Sequence, residues 1–181
     1  RQDGVGVGTQ TSALGLGGQE PARSDKVEQY NGTSWTEIAE FNTARSSQGA
    51  SGEGLVTDTI MFAGNTGSQS ALAETWNGAS WTEVSDLNTG RGLAGGAGTQ
   101  TSALCVVGYT SSPPGVANVE SWNGSSWTEV ADATANIGIG AAGADNTSVI
   151  KFNGGVAPQT NVTELWNGSS WSNTTSSNVT G

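Results

Sequence analysis

Histidine is missing from this chain, and several other residues are scarce: one cysteine, one methionine, four prolines and six Lys and Arg among 181 residues. Each shortage excludes something. Without His there is no Ser-His or Cys-His nucleophile pair and no imidazole metal ligand, so the expectation is a non-enzyme with no cofactor and no metal. The lone Cys105 has no partner for an internal disulfide and stands in the apolar run ALCVVG, where a small buried hydrophobe is expected rather than a reactive thiol. Six basic residues against 16 acidic give a net charge of −10. With no basic cluster, a nucleic-acid partner is disfavoured, because such binding rests on neutralising phosphates, and an anionic membrane surface would repel the chain. No apolar run approaches the roughly 20 residues needed to cross a bilayer as a helix. The opening RQDGVGVG does not read as a signal peptide; it reads as an internal cut in a longer protein or the start of a processed chain.

Glycine and tryptophan are what the chain has in quantity, 28 and seven, while hydrophobic residues reach only 34% and charged residues 12%. Seven Trp are too many for a disordered chain. Apolar bulk is concentrated in a few aromatics, and close packing of small residues must supply the rest.

The aromatics recur in one phrase: YNGTSWTEI from Tyr30, WNGASWTEV from Trp76, WNGSSWTEV from Trp122 and WNGSSWSNT from Trp166. Trp35, Trp81, Trp127 and Trp171 stand 46, 46 and 44 residues apart, a period that marks a propeller or solenoid. The clearest copy runs from Arg91 to Ala135. Its four short segments are Gly/Ala-rich LAGGAGT, apolar SALCVV closed by Gly108, alternating VANVESW, and alternating SWTEV. Asn123-Gly124, between the last two, is a strong signal for a two-residue hairpin turn, because both residues tolerate positive φ. No segment keeps a helical apolar period. Residues 1–181 therefore read as one all-β repeat domain of four four-stranded antiparallel blades, about 1–44, 45–90, 91–135 and 136–181. Glycine-rich inner strands suit a crowded axis, and the outer hairpin of each blade is expected to be locked by a cross-strand aromatic pair: Tyr30 with Trp35, Trp76 with Trp81, Trp122 with Trp127, Trp166 with Trp171. These pairs should pack each blade on the next.

A glycine-closed second strand, an aromatic on the third and a Trp opening the fourth resemble the kelch repeat. Its glycine pair stands as Gly17-Gly18 and Gly154-Gly155, and is reduced to Gly64-Asn65 and Gly108-Tyr109 in the middle copies. The resemblance implies a β-propeller or part of one. Some kelch-like propellers house a copper oxidase, but its His and Tyr ligands have no counterparts here. The wording NTAR, GAGTQT and WNGSSWTEV also resembles repeats in virion structural proteins of marine bacteriophages, including those of cyanobacteria, which implies a virion or extracellular location.

Glutamates recur too. Glu28, Glu74, Glu120 and Glu164 precede the third-strand aromatic by two residues, and Glu37, Glu83 and Glu129 follow the fourth-strand Trp by two, with Asn173 in the last copy. Facing carboxylates repel, so they are expected to be solvated or paired with Arg45 and Arg91; a calcium ion is the alternative, though it wants six to eight oxygens. Arg1, Arg45 and Arg91 open their units, Asn136 opens the last, and a role clamping neighbouring backbone is expected. Sequons at Asn31, Asn123, Asn146, Asn161, Asn167, Asn173 and Asn178 would carry glycans only in a secreted eukaryotic chain.

The four hairpin phrases barely differ, whereas the second-to-third-strand connections do: GQEPARSDK, GNTGSQS, GYTSSPPGV and GGVAPQT. One variable loop per repeat is how a scaffold builds a binding face. Arg23, Lys26, Tyr109, Pro113 and Pro114 are the candidate recognition residues, for a host-surface glycan or a protein subunit of a larger assembly. The function expected is a structural or binding module of an extracellular particle such as a phage tail or capsid appendage; the alternative is a secreted or cell-surface scaffold that self-assembles.

Overall fold

A computed structural model of the chain describes residues 1–51, 55–111, 115–136, 140–152 and 162–175. Among them there is no helix, and sixteen strands form four antiparallel four-stranded sheets, each in up-and-down order. Blade 1 comprises β1 (Val5–Thr9), β2 (Ser12–Leu16), β3 (Val27–Tyr30) and β4 (Trp35–Glu37). Blade 2 comprises β5 (Gly49–Ser51), β6 (Thr59–Phe62), β7 (Ala73–Trp76) and β8 (Trp81–Val84). Blade 3 comprises β9 (Gly95–Thr99), β10 (Ser102–Val106), β11 (Val119–Trp122) and β12 (Trp127–Val130). Blade 4 comprises β13 (Gly140–Asp145), β14 (Ser148–Phe152), β15 (Glu164–Trp166) and β16 (Trp171–Asn173). The inner strands β1, β5, β9 and β13 adjoin in that order. They approach backbone to backbone: a Cβ on Gly96 would lie 2.2 Å from the Ala50 carbonyl oxygen. The four sheets form an open arc that does not close into a ring.

The aromatic pairs are direct cross-strand partners in all four blades, as are Glu28 with Glu37, Glu74 with Glu83 and Glu120 with Glu129. Ring centroids of the pairs lie 5.2 to 5.4 Å apart.

The hairpins differ from expectation in one respect. The backbone N–H of Asn123 donates to Ser126 O, so Asn123 and Ser126 close the turn, and its two central residues are Gly124 and Ser125. Gly124, at φ +92°, takes the positive angle, and Asn123 does not. The Asn works through its side chain instead: Oδ1 accepts from the N–H groups of Ser125 and Ser126, an Asx turn. Asn31, Asn77 and Asn167 repeat the arrangement.

The glycine pair also needs correcting. Gly17 and Gly18 have φ of +52° and +103°; the residues with matching angles are Ala63 (+61°) and Gly64 (+105°), and Val107 (+52°) and Gly108 (+120°). The middle copies thus hold the same strained corner one residue earlier than Gly64-Asn65 and Gly108-Tyr109. Val107, β-branched in the left-handed region, is the costliest case.

Candidate functional site

Alternation gives each strand two faces, and the three described junctions between blades use them in one way. The face of blade 1 bearing Leu14, Leu16 and Val27 packs against Met61, Trp76 and Trp81 of blade 2. Ile60, Phe62 and Ala73 of blade 2 receive Cys105, Trp122 and Trp127 of blade 3. Leu104, Val106 and Val119 of blade 3 receive Val149, Trp166 and Trp171 of blade 4. The Trp pair therefore packs on the preceding blade, not the following one. Phe41 meets the Trp81 ring edge-on at 6.0 Å, and Phe62 meets Trp127 at 5.1 Å. Among the described residues no blade covers the Tyr30–Trp35 pair, and Trp35 is 53% exposed, against 6% for Trp127.

Beneath each Trp pair lies a buried carboxylate. Glu74 pairs with Arg45 and also accepts from the backbone N–H and side-chain amide of Asn42, which arrives from blade 1. Glu120 repeats this with Arg91 and Asn88 of blade 2. The two arginines also donate to backbone carbonyls, Leu72 O and Asn118 O, which is the clamp expected of them. Blade 4 solves the same problem differently. Asn136 carries no charge and donates to Gly115 O. The cation comes instead from Lys151, which faces Glu164 across the β14–β15 pair, while Thr134 of blade 3 supplies the neutral donors. Burial alone would raise the Glu164 carboxyl, but the hydrogen bonds from Lys151 and Thr134 outweigh it and hold it below its ordinary value of 4.5.

Lys151 was the functional cation that sequence reasoning missed. Its signal was present: the residues opposite the third-strand Glu are Gly15, Met61, Cys105 and Lys151, and the one Lys occurs in the copy without an opening Arg. Cys105, in the same row, is fully buried, and burial pushes its thiol up to about 12, so it stays protonated and unreactive.

The inner Glu of each pair is thus consumed by an ion pair and hydrogen bonds, while Glu83 and Glu129 face solvent. Added calcium is expected to leave the melting temperature unchanged. A rise of several degrees that a chelator reverses would instead place Glu74, Glu83, Glu120 and Glu129 around an ion.

The second-to-third-strand connections and the blade-to-blade crossings share one face, where they pair with each other: Gly18 N–H donates to Arg45 O, and Gly92 and Tyr109 exchange backbone bonds. A cleft of about 400 Å³ between the inner strands, bounded by Asp3, Ser47, Gln48 and Leu93, lies among the crossings. Of the candidate recognition residues, Arg23 and Lys26 are exposed, and Lys26 binds Glu37 at 2.7 Å. Tyr109 is buried, so it supports the loop from beneath. Pro113 and Pro114 lie outside the described residues, as do Gly154-Gly155 and the sequons Asn161 and Asn178. On the opposite face, Asn31, Asn123 and Asn167 are exposed and use Oδ1 in their turns, leaving the amide nitrogen outside the turn. Asn146 differs: its Nδ2 donates to Ser121 Oγ and Trp122 O at the junction of blades 3 and 4, which leaves no room for a glycan. Asn173 is exposed on β16, its side-chain amide 3.1 Å from Thr134 Oγ1.

No protein-family model matches the chain, and no curated protein matches it.

Proposed function

We propose that this chain is a non-enzymatic structural and binding module of an extracellular particle, of the kind carried on a phage tail or capsid, and that it engages a host-surface glycan or an assembly subunit through the loop face. One observation carries the reading. Gln19–Arg23 and Asn65–Gln69 are five-residue loops, each closed by a bridge between its end residues and by an N–H···O bond from its second residue to its fourth. They are closed alike, yet read QEPAR in one blade and NTGSQ in the next, and their middle residues differ in backbone: Gly67 has φ +131°, which Pro21 cannot adopt. A constant closure with interchangeable residues inside it suits recognition. The phage assignment is supported by the likeness of the repeat wording to virion proteins. The self-assembling scaffold, the second reading, is favoured by the apolar surface left at both ends of the arc.

Because the two loops are closed alike at their ends, QEPAR can be exchanged whole for NTGSQ with β2 and β3 kept in place. Binding to host cells or their envelope glycans is expected to fall at least severalfold, through loss of Arg23 and Glu20. Unchanged binding by the folded variant would remove this loop from the reading.

A further inference from the structure

The two ends of the arc are the two halves of the same junction. At its leading end, blade 1 presents what blades 2 to 4 use to dock: the Tyr30–Trp35 pair with Trp35 at 53% exposure, and Glu28, which is incompletely covered and bound by Arg1. It also presents Gln10 at the tip of the β1–β2 turn. The heptapeptide GTQTSAL from Gly8 to Leu14 recurs from Gly98 to Leu104, and there Gln100 reaches back and donates to the Trp76 carbonyl of the preceding blade. Gln10 is the same group and is exposed.

At the trailing end, blade 4 presents the receiving face. Ile150 and Phe152 occupy the places that Leu104 and Val106 hold in blade 3, and Leu165 lies opposite Ile150. Leu104 and Val106 are fully buried under blade 4, whereas Ile150, Phe152 and Leu165 are 37, 41 and 42% exposed. A shallow groove beside Trp166 runs along this face.

We infer that the leading face of blade 1 docks on the trailing face of blade 4 of a second copy of this chain, continuing the blade stack head to tail. The occupant follows from the three internal junctions: in each, a Trp pair covers two large apolar side chains of the preceding blade's second strand, and a neutral donor crosses to a buried carboxylate. One chain carries both an uncovered Tyr–Trp pair and an uncovered apolar receiver. Such a contact is heterologous, so repeating it closes a ring or runs on as a filament. With a net charge of −10 per copy, association should strengthen with added salt, because screening weakens the repulsion between copies.

The test uses light scattering and sedimentation on the intact chain and on Trp35→Glu and Phe152→Glu. Both residues are exposed, so both variants should keep the wild-type circular dichroism. The wild type is expected to associate with concentration, each variant alone to be monomeric, and an equimolar mixture to form a one-to-one complex through its single intact pair of faces. Should Trp35→Glu disturb blade 1, Gln10→Ala at the turn tip should weaken association severalfold without touching the sheet. A wild type that stays monomeric at every attainable concentration and salt would overturn the inference. So would folded variants that associate as well as the wild type, or a mixture that does not pair.

Discussion

Trp127→Ala is expected to lower stability by about 3–5 kcal/mol, the range for deleting a buried indole and leaving its cavity. Trp127 is 6% exposed, lies edge-on to Phe62 of the preceding blade and tilts against Trp122. Its loss opens the outer hairpin of blade 3 and the junction with blade 2 together. Trp35→Ala, the same substitution in the same phrase, is expected to cost about 1 kcal/mol or less, the scale of a cross-strand aromatic pair, because half of that side chain already meets solvent. Urea denaturation of the two variants measures both. Equal losses would mean that the indoles act within their own hairpins and not between blades.

Lys151→Met is expected to be as damaging, at about 3–5 kcal/mol, because it strands the Glu164 carboxylate in a site with almost no solvent access. Lys151→Met with Glu164→Leu should recover most of that loss, since apolar replacement of a whole buried pair is often neutral or better. A double variant no more stable than the single one would assign the cost to packing around the Lys stem. The same pair sets a pH response. The folded Glu164 carboxyl lies below its ordinary value of 4.5, so its contribution is fully present above that pH and is lost as pH falls through the lower folded value. Acid titration of the wild type should show this loss, and the double variant should lack it.

Much of the fold could be read locally. The hairpin phrases, the two-residue alternation and the missing helical period led directly to four four-stranded blades and to the cross-strand partners Trp122 and Trp127, Glu120 and Glu129, because partners in a hairpin are only a few residues apart. Even there, a side chain decided the detail: Asn123 closes the turn through Oδ1, and Gly124 alone takes the positive φ. Asn-Gly as a pair does not distinguish that arrangement from one with both residues in the turn.

The candidate site was less legible, because its partners meet across blades. Asn88 reaches Glu120 from 32 residues away and Thr134 reaches Glu164 from 30, contacts that no local pattern encodes. Local patterns along the chain carried the repeat, the strand count, the aromatic pairs and the arginine clamps at Arg45 and Arg91. Tertiary structure alone decided that each Trp pair covers the preceding blade, that Lys151 replaces the absent arginine, and that Tyr109 is buried while Trp35 is bare. The reason is physical. Hydrogen-bonded pairing within a sheet follows from chain order, but which face of a sheet meets its neighbour depends on the path of the crossing and the stacking of whole blades, and exposure at the ends depends on how many blades stand beside them.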